Sequence, residues 1–110
     1  MSLNKVGDVL LAQGDLVGAL ASFRQSLDVR RGLAQADPSN AGWQRDLTVS
    51  LIKVGDVLLA QGDPRSALAH GLEAQRIAEK LASLDPSNAT WQKDVAFIRQ
   101  LVERVRRALG

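Results

Sequence analysis

The feature that most constrains this chain is an internal repeat with a period of 48 residues. The eleven-residue phrase KVGDVLLAQGD stands at residues 5–15 and again at residues 53–63. Residues 2–49 and 50–97 share roughly 26 identities in 48 aligned positions, far more than unrelated segments would. They concentrate in that phrase, in an Ala-Leu-Ala triplet and in the motif DPSNAxWQxD. The pattern predicts one domain over residues 1–110, with repeat one at 2–49 and repeat two at 50–97.

Two turn signals divide each repeat into two helices. The Gly-Asp pair at 14–15 and 62–63 supplies a glycine that closes one helix in the left-handed conformation and an aspartate that caps the next. The segment Asp-Pro-Ser-Asn at 37–40 and 85–88 ends the second helix, because proline disfavours helix in the residue before it. Apolar residues between the turns recur every three or four positions, which indicates helices and no strand. The five expected helices span about 2–13, 16–36, 40–61, 64–84 and 88–109.

The order of small and large residues in these helices resembles the tetratricopeptide repeat, a helix–turn–helix unit of about 34 residues. The matching positions are Val6, Gly7, Leu10, Gly14, Asp15, Ala19 and Phe23 in repeat one, and Val54, Gly55, Leu58, Gly62, Asp63 and Ala67 in repeat two. Gly71 stands where repeat one has Phe23, and we expect Leu72 to fill that place. We also expect Gly55 to face Ala67 with no clearance, so that a side chain there would overpack the helix crossing.

The resemblance implies an all-α fold in which helix–turn–helix repeats stack as a right-handed α-solenoid of five antiparallel helices. The repeat is 14 residues longer than the family's, which we interpret as about two extra turns on each helix, packed on one another. Residues 88–109 form a degenerate capping helix in this interpretation, because Glu103 replaces the repeat's glycine and arginines replace its leucines. Trp43 and Trp91, at matching positions of the repeats, are expected to be core anchors.

Little in the sequence indicates catalysis, and we expect neither an enzyme nor a cofactor or metal site. The chain has no cysteine and one histidine, His70, and it lacks the glycine-rich phosphate loops and nucleophile motifs of enzymes. The repeated aspartates accompany helix starts, which favours capping over acid–base work. A net charge of +2 and the lack of a long apolar run argue against nucleic acid and membranes as partners. With no secretory signal, a cytoplasmic location is expected.

In the family that the chain resembles, the first helix of each repeat lines a concave groove that binds a peptide or partner protein. The positions that match the groove are Asn4, Asp8, Leu11, Ile52, Asp56, Leu59, Gln100 and Arg104. Members that clamp the acidic C-termini of chaperones carry Lys and Asn there, whereas two aspartates here favour a basic peptide. The alternative is that Asp8 and Asp56 are ordinary surface residues of the repeat, or pair with Lys5 and Lys53.

The resemblance therefore implies a non-enzymatic scaffold for protein–protein interaction. Two alternatives stay open: a self-association module, and a regulatory repeat array from a larger signalling protein. Nothing equivalent to residues 43–49 precedes the first helix, so Val29 and Leu33 on the second helix should be partly uncovered. We expect either a symmetric dimer to cover them, through the N-terminal helix pair, or a parent protein with more repeats upstream.

Overall fold

The computed structural model describes residues 2–110 as five α-helices joined by short turns. The helices are α1 (Leu3–Ala12), α2 (Leu16–Ala36), α3 (Ala41–Ala60), α4 (Pro64–Leu84) and α5 (Ala89–Leu109). Each helix packs against the next one along the chain, and no strand occurs among the described residues. The expected all-α fold of packed helices is thereby confirmed. The right-handed sense of the stack and the division into 48-residue repeats stay predictions.

The Gly-Asp phrase forms the turn inside each repeat. Gly14 and Gly62 adopt φ values of +80° and +83°, the left-handed region that favours glycine. The amide of Asp15 donates to the carbonyl of Leu10 (2.8 Å) and that of Gly14 donates to the carbonyl of Leu11 (3.0 Å). This pair of bonds is the Schellman motif. The aspartate carboxylate then accepts a hydrogen bond from the backbone amide three residues later and caps the next helix. Repeat two has the same arrangement.

The DPSNAxWQxD motif connects one repeat to the next. Asn40 and Asn88 cap α3 and α5 by accepting from the backbone amide three residues later, at 3.0 Å in both cases. The glutamine of the motif, whose role the sequence did not reveal, ties the new helix to the end of the old one. Gln44 donates to the carbonyl of Ala34 (3.1 Å), and Gln92 makes the matching bond in repeat two. The recurrence of this motif therefore has a structural cause.

The core is centred on α3, the middle helix, which packs against α2 and α4. Leu51, Val54 and Val57 are fully buried there, with Phe23 of α2 and Ile98 of α5 almost equally enclosed. Trp43 and Trp91 are only half-buried, so neither is enclosed in the core as expected, although Trp91 packs against it. Both stand in the first turn of their helices, at the edge of the packed layer, and an indole is too large to be enclosed there.

The close helix crossing expected at Gly55 occurs at Gly7 instead. A Cβ added at Gly7 would lie 2.6 Å from Cδ1 of the buried Phe23 ring. At Gly55 the nearest atoms, the Ala67 carbonyl oxygen and the His70 Cβ, would lie at 3.6 and 3.7 Å, which is ordinary contact. The expectation of no clearance at Gly55 is therefore wrong, because Gly71 stands where the Phe23 ring would be.

Leu72, which we expected to occupy that place, is instead 36% exposed and does not line the space above Gly55. Val102 of α5 approaches Gly71 instead. A Cβ added at Gly71 would lie 3.2 Å from the Cγ2 atom of Val102. Because a valine is smaller than a phenylalanine ring, the space above Gly55 is filled only in part. In repeat one this space is filled by Phe23 of the same repeat, and in repeat two it is partly filled by Val102 of the following helix. This difference shapes the candidate site described below.

Candidate functional site

The candidate groove residues lie on three helices that occupy equivalent positions in the repeat. Asn4, Asp8 and Leu11 lie on α1, Ile52, Asp56 and Leu59 on α3, and Gln100 and Arg104 on α5. The structure brings one subset of them together: Ile52, Asp56, Leu59 and Arg104 line a single small pocket. The surface between α3 and α5 is therefore the part of the expected groove in which the candidate side chains converge.

Asn4 faces α2 rather than this surface. In the side-chain orientation that satisfies its neighbours, its amide nitrogen donates to Ser26 Oγ (2.9 Å) and its oxygen accepts from Arg30 Nη1 (3.1 Å). Arg30 also donates to the hydroxyl of Ser50 on α3 (3.2 Å). This polar cluster holds α1, α2 and α3 together, which gives Asn4 a packing role.

The small pocket follows from the glycine at position 71. It holds about 30 Å³ and lies between α3, α4 and α5, with Gly55 and Gly71 among its lining residues. In repeat one the Phe23 ring fills the corresponding space over Gly7. The mouth of the pocket carries the half-buried side chains of Ile52 and Leu101.

A wider furrow of about 290 Å³ adjoins the small pocket and runs between α3 and α5. Ile52 and Asp56 line both spaces, and Phe97 forms part of the α5 wall of the furrow. The Phe97 side chain is 55% exposed, which is unusual for a ring of this size. Sequence reasoning missed Phe97, although it stands just before Ile98 of the apolar stripe and replaces the smaller Val49 of the preceding repeat.

Ion pairs connect equivalent helices of neighbouring repeats. Arg31 of α2 and Glu73 of α4 approach to 2.6 Å, and Arg45 of α3 and Asp94 of α5 approach to 2.8 Å. Lys53 of α3 reaches back to Asp8 of α1, with Nζ 2.8 Å from Oδ1. Asp8 thus has the lysine partner that the alternative interpretation foresaw.

Asp56 differs from Asp8 in its surroundings. Its carboxylate makes no ion pair or hydrogen bond with any of residues 2–110, although it stands beside the apolar wall of the furrow. Desolvation by that wall raises the pKa of Asp56 above its ordinary value, and the more distant charges of Lys53 and Arg104 oppose the shift. Of the two groove aspartates, Asp56 is therefore the one whose carboxylate has no partner.

A second exposed apolar surface lies at the edge formed by α2. Val29 and Leu33 are 59% and 40% exposed, which confirms the expectation that they are partly uncovered. Their equivalents one repeat later are Ile77 and Leu81. Those residues line a cavity under the loop between α2 and α3, and only 6% of Leu81 is exposed. The α2 edge thus lacks the loop that covers the same positions of α4.

Other kinds of site have little support in this part of the molecule. Within residues 2–110, no group of three or more His, Asp or Glu side chains is placed to hold a metal ion. His70 is half-buried and its Nδ1 lies 2.8 Å from the carbonyl oxygen of Ser66. None of the helices described here is both long and apolar enough to cross a membrane.

Comparison with known proteins agrees with the resemblance seen in the sequence. A family model described as a tetratricopeptide repeat matches residues 1–38, which comprise α1, the Gly-Asp turn and α2. No curated protein and no solved structure matches the chain. The match covers about a third of the chain and supports the resemblance to this repeat family, while the 48-residue period rests on the sequence repeat alone.

Proposed function

We propose that this chain is a non-enzymatic scaffold for protein–protein interaction that binds a peptide or partner protein in the groove formed by α1, α3 and α5. The repeat family that matches residues 1–38 mediates such interactions in general. The observation that carries the proposal is the furrow between α3 and α5, where an exposed aromatic ring and an unpaired carboxylate stand together. Exposed apolar surface bordered by polar groups is typical of interaction sites.

The proposed partner is a protein segment, with a basic peptide favoured, rather than nucleic acid or a membrane. A net charge of +2 gives little attraction to phosphate, and the aspartates of the groove would repel it. A cytoplasmic setting suits a scaffold of this kind and forms part of the proposal.

Replacing both groove aspartates, Asp8→Asn with Asp56→Asn, should weaken the binding of basic peptides by about tenfold or more, because each substitution removes a carboxylate that can accept a hydrogen bond from the peptide. Added salt should weaken binding to the parent protein as well, since exposed charges are screened. A peptide array probed with the parent protein and the double variant measures both effects. An array enriched in acidic or purely apolar sequences would contradict the basic preference.

Self-association is a second candidate function, and the uncovered Val29 and Leu33 favour it. We propose a symmetric dimer through α1 and α2 in which each copy covers these residues of the other. Val29→Lys should then shift the protein toward monomer, because two such lysines would meet near Arg30 and Arg31 of both copies. Val17→Lys is the matched control: Val17 is 76% exposed on the same helix, and twelve residues separate it from Val29 by about 18 Å.

Size-exclusion chromatography with light scattering at high concentration decides between these outcomes. A parent protein that stays monomeric would rule out the dimer. The uncovered residues would then favour a regulatory array from a larger protein, and adding a repeat before α1 should raise the melting temperature by covering Val29 and Leu33.

A further inference from the structure

The lysine that pairs with the aspartate of repeat one comes from repeat two. Lys53 is the equivalent of Lys5 one period later, and it pairs with Asp8 of the repeat before it. The same register assigns the partner of Asp56 to position 101. That position holds Leu101, so the chain carries a leucine where the repeat would place the ammonium group.

Position 101 lies where a lysine could reach Asp56. Leu101 lines the small pocket together with Asp56, which shows that the two side chains face the same space. Two cations lie near Asp56, and neither forms an ion pair with it. Lys53 is bound to Asp8, and the exposed Arg104 lines the small pocket together with Asp56. The position that a lysine would occupy is therefore open toward the groove.

The open carboxylate has apolar side chains beside it, while the other charged groups of the furrow are paired: Arg45 with Asp94, and Lys53 with Asp8. Ile52 and Phe97 stand on opposite walls of the furrow beside Asp56, and Leu101 lines the adjoining small pocket. An aliphatic or aromatic side chain that lay between these walls would cover the exposed Phe97 ring. It would also exclude water from the neighbouring carboxylate, which strengthens a charge-assisted hydrogen bond to it.

We propose that the furrow between α3 and α5 binds an extended segment of a partner protein that places a Lys or Arg side chain on Asp56 and a neighbouring bulky apolar side chain against Phe97 and Ile52. This inference rests on the proposed scaffold function and adds the chemistry of its partner. The cation of the partner takes the place of the lysine that is absent at position 101. Repeat two thus uses its aspartate, Asp56, to bind a partner, whereas repeat one uses the equivalent Asp8 to bind the neighbouring repeat.

A selection from a library of short random peptides, run in parallel on matched variants, tests the proposal. The parent protein should enrich peptides that carry Lys or Arg beside an aromatic or aliphatic residue. Asp56→Asn and Leu101→Lys should both abolish the enrichment in basic residues, the first by removing the acceptor and the second by supplying an internal cation. Asp46→Asn, which removes the same charge from an exposed position of α3 outside the furrow, and Leu101→Met, which keeps an apolar side chain of similar volume, should retain it.

The strongest enriched peptide then allows a direct measurement of coupling. Replacing its arginine by citrulline, or its lysine by acetyl-lysine, removes the charge and keeps most of the shape. On the parent protein this change should reduce affinity by about tenfold or more, and on Asp56→Asn it should have little effect. Arg104→Gln should tighten binding, because it removes a like charge near the bound cation.

The variants are expected to fold, which keeps these outcomes interpretable. Because desolvation raises the pKa of Asp56, its charged form is disfavoured in the folded protein, so Asp56→Asn should not lower stability at neutral pH. Basic residues that survive both Asp56→Asn and Leu101→Lys, or a loss of binding in Arg104→Gln, would overturn the assignment to Asp56. A library from which the parent protein selects no peptide at all would instead count against the proposed function itself.

Discussion

Phe23→Ala should lower the free energy of unfolding by about 3–5 kcal/mol. The ring is fully buried on α2 and packs directly over Gly7 of α1, so its removal leaves a cavity at the main contact surface of the short first helix. A loss of this size is a large fraction of the total stability of a small domain. Urea denaturation followed by circular dichroism measures it.

Phe97→Ala is the matched control for this prediction. It removes the same ring from an exposed position in the furrow, and should change stability by no more than about 0.5 kcal/mol. Its effect should appear in peptide binding instead. Equal losses of stability in the two variants would contradict the assignment of Phe23 to the core and Phe97 to the binding surface.

Gly7→Ala should destabilise the protein by about 1–3 kcal/mol, because the added methyl group would overlap the enclosed Phe23 ring. Gly55→Ala, the same change at the equivalent position, should instead be neutral or raise stability by up to about 1 kcal/mol. The methyl group has room there, and alanine favours helix over glycine. Two identical substitutions in identical sequence contexts are thus expected to have opposite signs.

A second substitution tests the cause of the Gly7 effect. If the loss comes from overlap with the ring, Gly7→Ala should cost much less in a Phe23→Leu background, where the smaller side chain leaves space. Thermal unfolding of the four proteins in this cycle gives the coupling. Strictly additive effects would show that the loss arises elsewhere, and a stable Gly7→Ala variant would contradict the packing described for α1 and α2.

The helices and turns could be predicted from sequence because local chemistry determines them. Gly14 and Gly62 take the conformation that few other residues adopt, and Asn40 and Asn88 cap helices with their own side chains. Such signals act over three or four residues, and so they can be seen without tertiary structure. The repetition of each signal made the assignment firmer than one copy would.

The site could be predicted only in part, because its properties depend on residues far apart in the chain. The clearance at Gly55 is set by Gly71 on the next helix, and the partner of Asp8 is 45 residues away. The exposure of Phe97 depends on which helices flank α5 and cannot be read from its neighbours in sequence. The sequence pointed to Asp56 as a groove residue, but the structure was needed to show that Asp8 is paired and Asp56 is not.

The differences between the repeats are as informative as the identities. The residues that form the turns are the same in both copies, since each copy needs them to join its helices. Three departures, Gly71, Phe97 and Leu101, border the same region between α3, α4 and α5. Together they enlarge the space beside Asp56, expose a ring and remove a cation, which is what a binding site for a basic and apolar segment requires.

The central claim, that this region binds a partner segment, is tested most directly by recording the backbone amide spectrum of the isotope-labelled protein while the selected peptide is added. The account predicts that the largest shifts fall on residues of α3 and α5 that line the furrow, including Ile52, Asp56 and Phe97, and that they vanish in Asp56→Asn. Shifts centred on Val29 and Leu33 at the α2 edge, or on the solvent face of α4, would contradict it.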